Sequence, residues 1–284
     1  MKRSLLILTM IVSGPFSAGA ERCDRIVSLA PSVTEVLFEL GLGDKVVGVT
    51  RFCRYPPEAQ SVPSIGGFYD VSFESLLTRK PTVVIGLREH SDIRDSSRRF
   101  GIATQEVDHS TVEGIKRSMT TIADMCGISH VGSEKVAALE RRERALRDSA
   151  HAIPHFKTLV AVGRTHEGAA TSGVYVSGRD GFYTGVLEIV GLRNVNQEPT
   201  VAIPTLSSEG IMALAPEAIV EVVSPDDPQT DQDHAALWRN YPNIPAVKND
   251  RVVTLRGDYA SIPGPRYIRV AEDIAQRLRP GGER

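Results

Sequence analysis

The segment Ser133–Ile153, SEKVAALERRERALRDSAHAI, holds no glycine or proline and reads as one uninterrupted helix that Pro154 closes. Glu140/Arg144 and Glu143/Arg147 are acid-before-base i,i+4 pairs on an exposed face, while Leu139, Leu146 and Ile153 recur every seventh residue as a thin apolar seam. A helix with so narrow a seam rests on something along one side only. At about 1.5 Å per residue it runs roughly 30 Å, the reach from one lobe to a second. Spacing alone equally allows an ordinary surface helix of a single domain.

An internal repeat separates the two readings. Before the helix stands Ser72-Phe73-Glu74-Ser-Leu-Leu-Thr-Arg-Lys-Pro81, then the apolar run TVVIG; after it stands Ser207-Ser208-Glu209-Gly-Ile-Met-Ala-Leu-Ala-Pro216, then EAIVEVV. Each copy is S-x-E, a turn or two of helix, a proline that ends it, and a β-branched run that suits a buried parallel strand. The copies lie too far apart for a solenoid, which argues for two lobes of one design. The expected divisions are residues 1–20 as an export leader, 21–132 as a first α/β lobe, 133–153 as the connecting helix and 154–284 as a second α/β lobe.

Within the first lobe Arg25–Ala30 reads as a strand, Ser32 and Glu35 as a capping box for a helix to Gly41, and Lys45–Thr50 as a second strand. Arg51-Phe-Cys-Arg-Tyr-Pro-Pro57 follows as a loop placed by two prolines. The S-x-E helix, its strand to Gly86, a helix over Asp92–Phe100, a strand over Ala103–Val107 and a capping box of Ser110 and Glu113 complete the lobe. The second lobe repeats this plan, with Lys157–Gly163 as its first strand, Arg164–Gly168 as that strand's exit loop and Arg251–Leu255 as its last strand. Strands alternating with helices imply central, mainly parallel sheets. No low-complexity linker intervenes, so the connector is the helix itself, a stiff hinge.

Composition places the chain among globular proteins: 284 residues, 41% hydrophobic and 24% charged. Lys2 and Arg3, the run LLILTMIV and Ala18-Gly-Ala20 form the three parts of an export signal, with cleavage after Ala20. Glu21 and Arg22 stand before Cys23 where a lipid-anchored protein needs small residues. Cleavage removes two bases and no acid, so the formal charge of −2 becomes −4, which gives no support to nucleic-acid binding. Three cysteines in an oxidising compartment allow one disulfide. Cys23 precedes the first strand and Cys126 ends a helix antiparallel to the sheet, so both fall at one end of the lobe; Cys53 follows a strand and falls at the other. The expected bridge is Cys23–Cys126, with Cys53 a thiol near the cleft.

In open parallel sheets ligands sit beyond the carboxyl ends of the strands. Those exits supply Arg51, Phe52, Phe68, Tyr69, Arg88 and His90 from the first lobe and Arg164, His166, Tyr175, Arg179, Phe182 and Tyr259 from the second. Arginines beside aromatics suit a large, partly anionic, partly apolar ligand. The chain carries no G-x-S-x-G, H-E-x-x-H, P-loop or G-x-G-x-x-G pattern, which weighs against the common hydrolases and nucleotide enzymes. The competing class is a periplasmic metal-dependent hydrolase in which His90 and His166 face each other with Glu89, Glu167 or Asp180. The acidic run Asp226–Asp233 lacks the glycine and terminal glutamate of a calcium loop and reads as a solvated rim.

RIVSLAPSVTEVLFELGLGDKVVGVT, YPPEA, SIGGFYDVSFESLLTRKPTVVIG, the second S-x-E copy and IPAVKNDRVVTL with IPGPR resemble the periplasmic substrate-binding proteins of ABC importers for vitamin B12, ferric siderophores and haem. The resemblance covers nearly the whole mature chain. It implies two lobes joined by one helix, a bound metal chelate rather than a resident cofactor, no catalytic residues and no protein-held metal. It further implies a periplasmic monomer that delivers its cargo to an inner-membrane permease dimer, with Glu74 and Glu209 as the acids that dock on it. Among ligands the N-terminal blocks favour a corrinoid, and the arginines favour a ferric siderophore or haem.

Overall fold

In the computed structural model, residues 22–150, 153–167, 170–179, 181–198 and 201–279 are described. The expected leader and Asp180 lie outside them, as do the side chains of 165–167 and 170–172.

The first lobe runs β1 (Ile26–Ser28), α1 (Pro31–Glu39), β2 (Val46–Gly48), α2 (Phe73–Thr78), β3 (Val83–Gly86), α3 (Ser91–Arg99), β4 (Ala103–Glu106) and α4 (Val112–Met125). Its four strands lie in the order β2-β1-β3-β4 and every pairing is parallel. β1 and β3 are wholly buried, as their unbroken apolar runs require. Val27, Leu29, Ile65, Leu76 and Val84 pack on the face under α2, while Val112, Ile115, Met119 and Ile122 of α4 cover the other.

α4 ends in the turn Cys126-Gly127, where Gly127 takes a φ of 72°, and the chain enters α5 at once. The connecting helix α5 spans Ser129–Ser149 and starts before the expected Ser133, because this glycine turn rather than Ser133 begins it. Leu139 is buried and Leu146 partly buried in the expected seam, with Ile153 buried just beyond the helix. Glu143 departs from expectation. It is buried, not exposed, and accepts from the Tyr267 hydroxyl at 2.6 Å while pairing with Lys116 and Arg147, each at 3.2 Å. Burial works against the Lys116 charge, but Glu113 and Glu143 prevail and hold its pKa above the usual lysine value.

The second lobe contains β5 (Lys157–Glu167), β6 (Ala170–Val176), α6 (Phe182–Ile189), β7 (Arg193–Asn194), β8 (Thr205–Leu206), α7 (Ser208–Leu214), β9 (Ala218–Val223), α8 (Asp231–Arg239), α9 (Pro245–Lys248), β10 (Val252–Arg256), α10 (Asp258–Ser261) and α11 (Tyr267–Leu278). The sheet order is β10-β9-β5-β6-β8, with β7 paired to β5. β10, β9, β5 and β7 are parallel neighbours, but β6 runs antiparallel to both β5 and β8. The segment expected as an exit loop, Arg164–Glu167, therefore continues β5, and this sheet is mixed. α11 buries Tyr267, Val270, Ala271 and Ile274 in the same apolar cluster as α4 and Leu139, so one core runs continuously through both lobes. Arg142 of α5 grips Glu272 of α11 at 2.7 Å and Lys135 reaches Glu39 of α1 at 2.9 Å, so the helix is tied to each lobe.

Two expected capping boxes take other forms. Pro31 occupies the first turn of α1, which makes Ala30 its N-cap and leaves Glu35 for another use. α4 is capped by Thr111, whose Oγ1 accepts from the Gly114 N–H at 3.0 Å, rather than by Ser110. Cys23 and Cys126 are joined with their Cα atoms 5.3 Å apart. Cys53 is a buried thiol, hydrogen-bonded with Thr34 at 3.1 Å and Thr50 at 3.2 Å, and burial raises its pKa.

Candidate functional site

The lobes meet beside the carboxyl ends of the first sheet's strands, where Pro263 of the second lobe faces Ser32, Arg88 and His109. In the first lobe the chain leaves β1 toward β2 and leaves β3 toward β4, so connections diverge between β1 and β3 and open a crevice there. A cavity of about 250 Å³ occupies that place, lined by Ser32, Arg88, His109 and, from the second lobe, Pro263. A larger cavity of about 690 Å³ lies on the flank of the junction, between Thr111 at the start of α4, Arg147 of α5 and Thr184 of α6.

Five of the expected first-lobe residues form one cluster. The Arg51 guanidinium pairs with Asp70 and stands 5.4 Å from the Phe52 ring centre. It also holds the Asp70 carboxyl below the usual aspartate pKa. Gly67 makes the pairing possible, since a Cβ there would lie 2.0 Å from Asp70 Oδ1 and 2.5 Å from Arg51 Nη2. Phe68 packs edge-on against Tyr69 at 4.7 Å and against His90 at 4.5 Å. Tyr69 is 83% exposed and Phe52 46%, so two rings are offered to solvent beside a cation. Arg88 lies apart from this cluster, in the wall of the smaller cavity.

His90 is a support rather than a wall. It is buried; its Nδ1 accepts from the Leu87 N–H at 3.1 Å, which leaves Nε2–H to donate to the Phe68 carbonyl at 3.1 Å. Burial lowers its pKa, so the ring stays neutral and pins the 66–70 loop to the 87–90 turn. With both nitrogens engaged it has no lone pair for a metal, which removes the centre of the hydrolase alternative.

The second lobe departs further from expectation. The Arg164 side chain is only 6% exposed, paired with Glu221 at 2.8 Å and stacked 4.6 Å from the Trp238 ring, so it braces the lobe's interior. Glu221 also receives the Trp238 indole N–H at 2.6 Å. His166 lies on β5 opposite Thr171, and its side chain is outside the described residues. Tyr175 is 39% exposed on β6, and Arg179 lines the larger cavity. Phe182 is a buried core residue at the start of α6. Tyr259 is buried too, its hydroxyl donating to Asp273 at 2.5 Å and its ring under Arg269 at 4.2 Å; burial and Asp273 push its pKa up to about 12. Arg164, Phe182 and Tyr259 thus offer little surface to a ligand in this structure.

Glu74 and Glu209 occupy equivalent places. Each is exposed and second in its helix, behind a serine N-cap: Ser72 accepts from the Ser75 N–H and Ser207 from the Gly210 N–H, both at 3.2 Å. Backbone N–H bonding and the Ser207 hydroxyl hold the Glu209 pKa low. The acidic run is a rim of paired groups, with Asp226 on Arg54 at 2.5 Å, Asp231 on Arg256 at 2.7 Å and Asp233 capping α8.

Sequence reasoning missed a sheltered contact between the lobes. Arg266 donates to both oxygens of the buried Glu35, at 2.9 and 2.5 Å, and to Asp258 at 2.9 Å, with its guanidinium 4.0 Å from the Tyr55 ring centre. Burial raises the Glu35 pKa to about 7 against the pull of Arg266. It missed also a buried relay in the crevice. Ser118 donates to the Ile115 carbonyl, so its oxygen accepts the His109 Nε2–H at 2.7 Å, and Ser32 donates to Nδ1 at 2.8 Å. Burial lowers the His109 pKa to about 4. Neither partnership had a local signal, because each joins residues far apart in the chain.

Two α/β lobes on one connecting helix, with a crevice walled by both, are the architecture of a two-lobed solute-binding protein. The chain belongs to the periplasmic binding protein family, whose profile matches residues 26–259. The vitamin B12-binding protein of Photorhabdus laumondii is 28% identical over 263 residues, covering 91% of this chain and 89% of that one. The periplasmic vitamin B12-binding protein of Vibrio cholerae superposes with a TM-score of 0.74 at 22% identity, over 90% of this chain and 96% of that one. A periplasmic haem-binding protein from Pseudomonas aeruginosa gives 0.76 at 22% identity, over 92% and 94%.

Proposed function

We propose that this protein captures a corrinoid in the cleft between its lobes and delivers it, chemically unchanged, to the permease of an ABC importer. The observation that carries the ligand class is the full-length similarity, at 28% identity, to a protein named for binding vitamin B12. The site supports it with Phe52, Tyr69 and Tyr175, whose exposed rings suit the broad apolar faces of a macrocycle. Export follows the leader, and the mature chain begins at Glu21.

A ferric siderophore or haem is the second reading, favoured by the guanidinium groups of Arg51, Arg88 and Arg179, which match carboxylate or oxygen-rich anionic chelates. Titration with cyanocobalamin, haemin and a ferric siderophore, followed by visible absorption, separates these readings. One ligand per chain, released unaltered, is expected, with cyanocobalamin the tightest. Much tighter binding of haemin or the siderophore would move the assignment to the second reading, and Arg51→Gln should then weaken that anionic ligand more than the corrinoid. Turnover of any of the three would remove the binding-protein reading altogether.

A further inference from the structure

The loop Ile262-Pro263-Gly264-Pro265-Arg266 leaves the second lobe and seats on the first beside the start of α1. Pro263 closes one side of the crevice that holds Ser32 and His109. Gly264 sits so close that a Cβ on it would lie 2.8 Å from Glu35 Oε2 and 3.7 Å from the Ser32 Cα. Arg266 then joins Glu35 of α1 to Asp258 of α10 and covers the Tyr55 ring. Glu35 is 4% exposed, so this bidentate pair is sheltered from water and has little slack. Arg54 and Asp226 form a second bridge across the junction, but both are about half exposed or more, where an ion pair contributes little.

We propose that Arg266 is a positioning residue that fastens the second lobe to the first through Glu35 and so fixes the width of the ligand cleft. It touches no ligand in this scheme; it sets the distance between the walls that do. The room left by Gly264 is part of the device, since a larger residue would wedge the lobes apart. The groups facing Glu35 are Arg266 and Asp258 from the second lobe, Cys53 and Tyr55 from the loop after β2, and Glu39 one turn along α1, with Arg142 and Arg269 lining the same flank. Arg266 is the base bonded to it, so without Arg266 a charged Glu35 would be buried against acids and a thiol. Without that guanidinium Glu35 holds its proton to higher pH and keeps no charge-assisted bond to Arg266 of the second lobe.

The ligand arm of the test rests on the cleft reading; the distance arm needs no ligand. Fluorophores are placed on the two lobes through Arg99→Cys and Lys248→Cys, both exposed positions, and the distance distribution is read by energy transfer. At about pH 8 and at about pH 5.5 alike, Arg266→Met should lengthen and broaden the wild-type distribution, because no guanidinium is left to bind Glu35 in either of its protonation states. Gly264→Ala should lengthen it at both pH values. If the fastened state falls to about a tenth of the population, the affinities for cyanocobalamin and haemin should fall about tenfold. Unchanged distances in Arg266→Met overturn the proposal. Should Arg266→Met fail to fold, Gly264→Ala decides alone. Wild-type protein that binds neither probe, while the distances behave as expected, defeats the cleft reading and leaves the fastener standing.

Discussion

At Glu35 and His109 the same burial acts on opposite charges. The folded-state pKa of Glu35 is raised from 4.5 to about 7, so the folded protein holds a proton there that the unfolded chain has lost, and stability falls as pH rises through that window. His109 is lowered from 6.5 to about 4, so the unfolded chain takes up the proton first and stability falls as pH drops from 6.5 toward 4. Each contribution is about 3 kcal/mol in size, and over the shared window they oppose each other. The wild-type stability profile should therefore be shallow between pH 6.5 and 4.5. Glu35→Gln should expose a loss on acidification, and His109→Gln a gain. Urea unfolding at several pH values reads both slopes, and parallel profiles for the three proteins would show that these groups are not the ones titrating. Glu35 also shows where residue-level reading stops. Ser32 and Glu35 have capping-box spacing, but Pro31 shifts the cap to Ala30, and the carboxylate's partner lies far along the chain, where no local pattern can point to it.

Elements were legible where their signal is local and repeated. The two S-x-E helices match in cap, in acid position and in exit: Lys80 and Ala215 take φ values of 47° and 46° just before Pro81 and Pro216. A residue before proline is driven away from the right-handed helical region, and here each helix ends in the left-handed one. An L-residue pays about 1–2 kcal/mol there, part of which glycine forfeits through its freer unfolded chain. Lys80→Gly and Ala215→Gly should each stabilise the protein by roughly 0.5–1 kcal/mol, additively because they sit on different lobes. Thermal and urea unfolding check this, and a loss of stability in either would mean that the left-handed residue is held by contacts glycine cannot make. The β5–β6 hairpin was illegible for the converse reason. Arg164-Thr165-His166-Glu167 carries no apolar alternation, so nothing in it announces a strand, and its pairing with β6 is a tertiary outcome. Arg164 was misplaced with it, because an arginine braced by Glu221 and Trp238 looks in sequence like any loop cation.

Across the whole molecule the repeat gives a delivery argument that the cleft does not. Glu74 and Glu209 are exposed at equivalent places in two lobes held by one helix and one continuous core, so their separation is set by the fold and not by a flexible linker. A permease dimer offers two related surfaces, and two fixed acids match such a partner better than one. If both acids dock, Glu74→Ala or Glu209→Ala should leave cyanocobalamin affinity nearly unchanged, because neither lines a cavity of the junction. Binding to the permease should drop about tenfold for either single variant, since an interfacial charge loses its partner in a desolvated setting. Loss in the double variant should be greater than in either single one, because the linked second contact is then absent as well. Ligand titration beside uptake into vesicles carrying the permease makes the comparison on one preparation. Full uptake by the double variant would return both acids to a helix-start role, where a carboxylate near the N-terminal N–H groups is favourable by itself. A fall in ligand affinity that matches the fall in uptake would place them at the cleft instead.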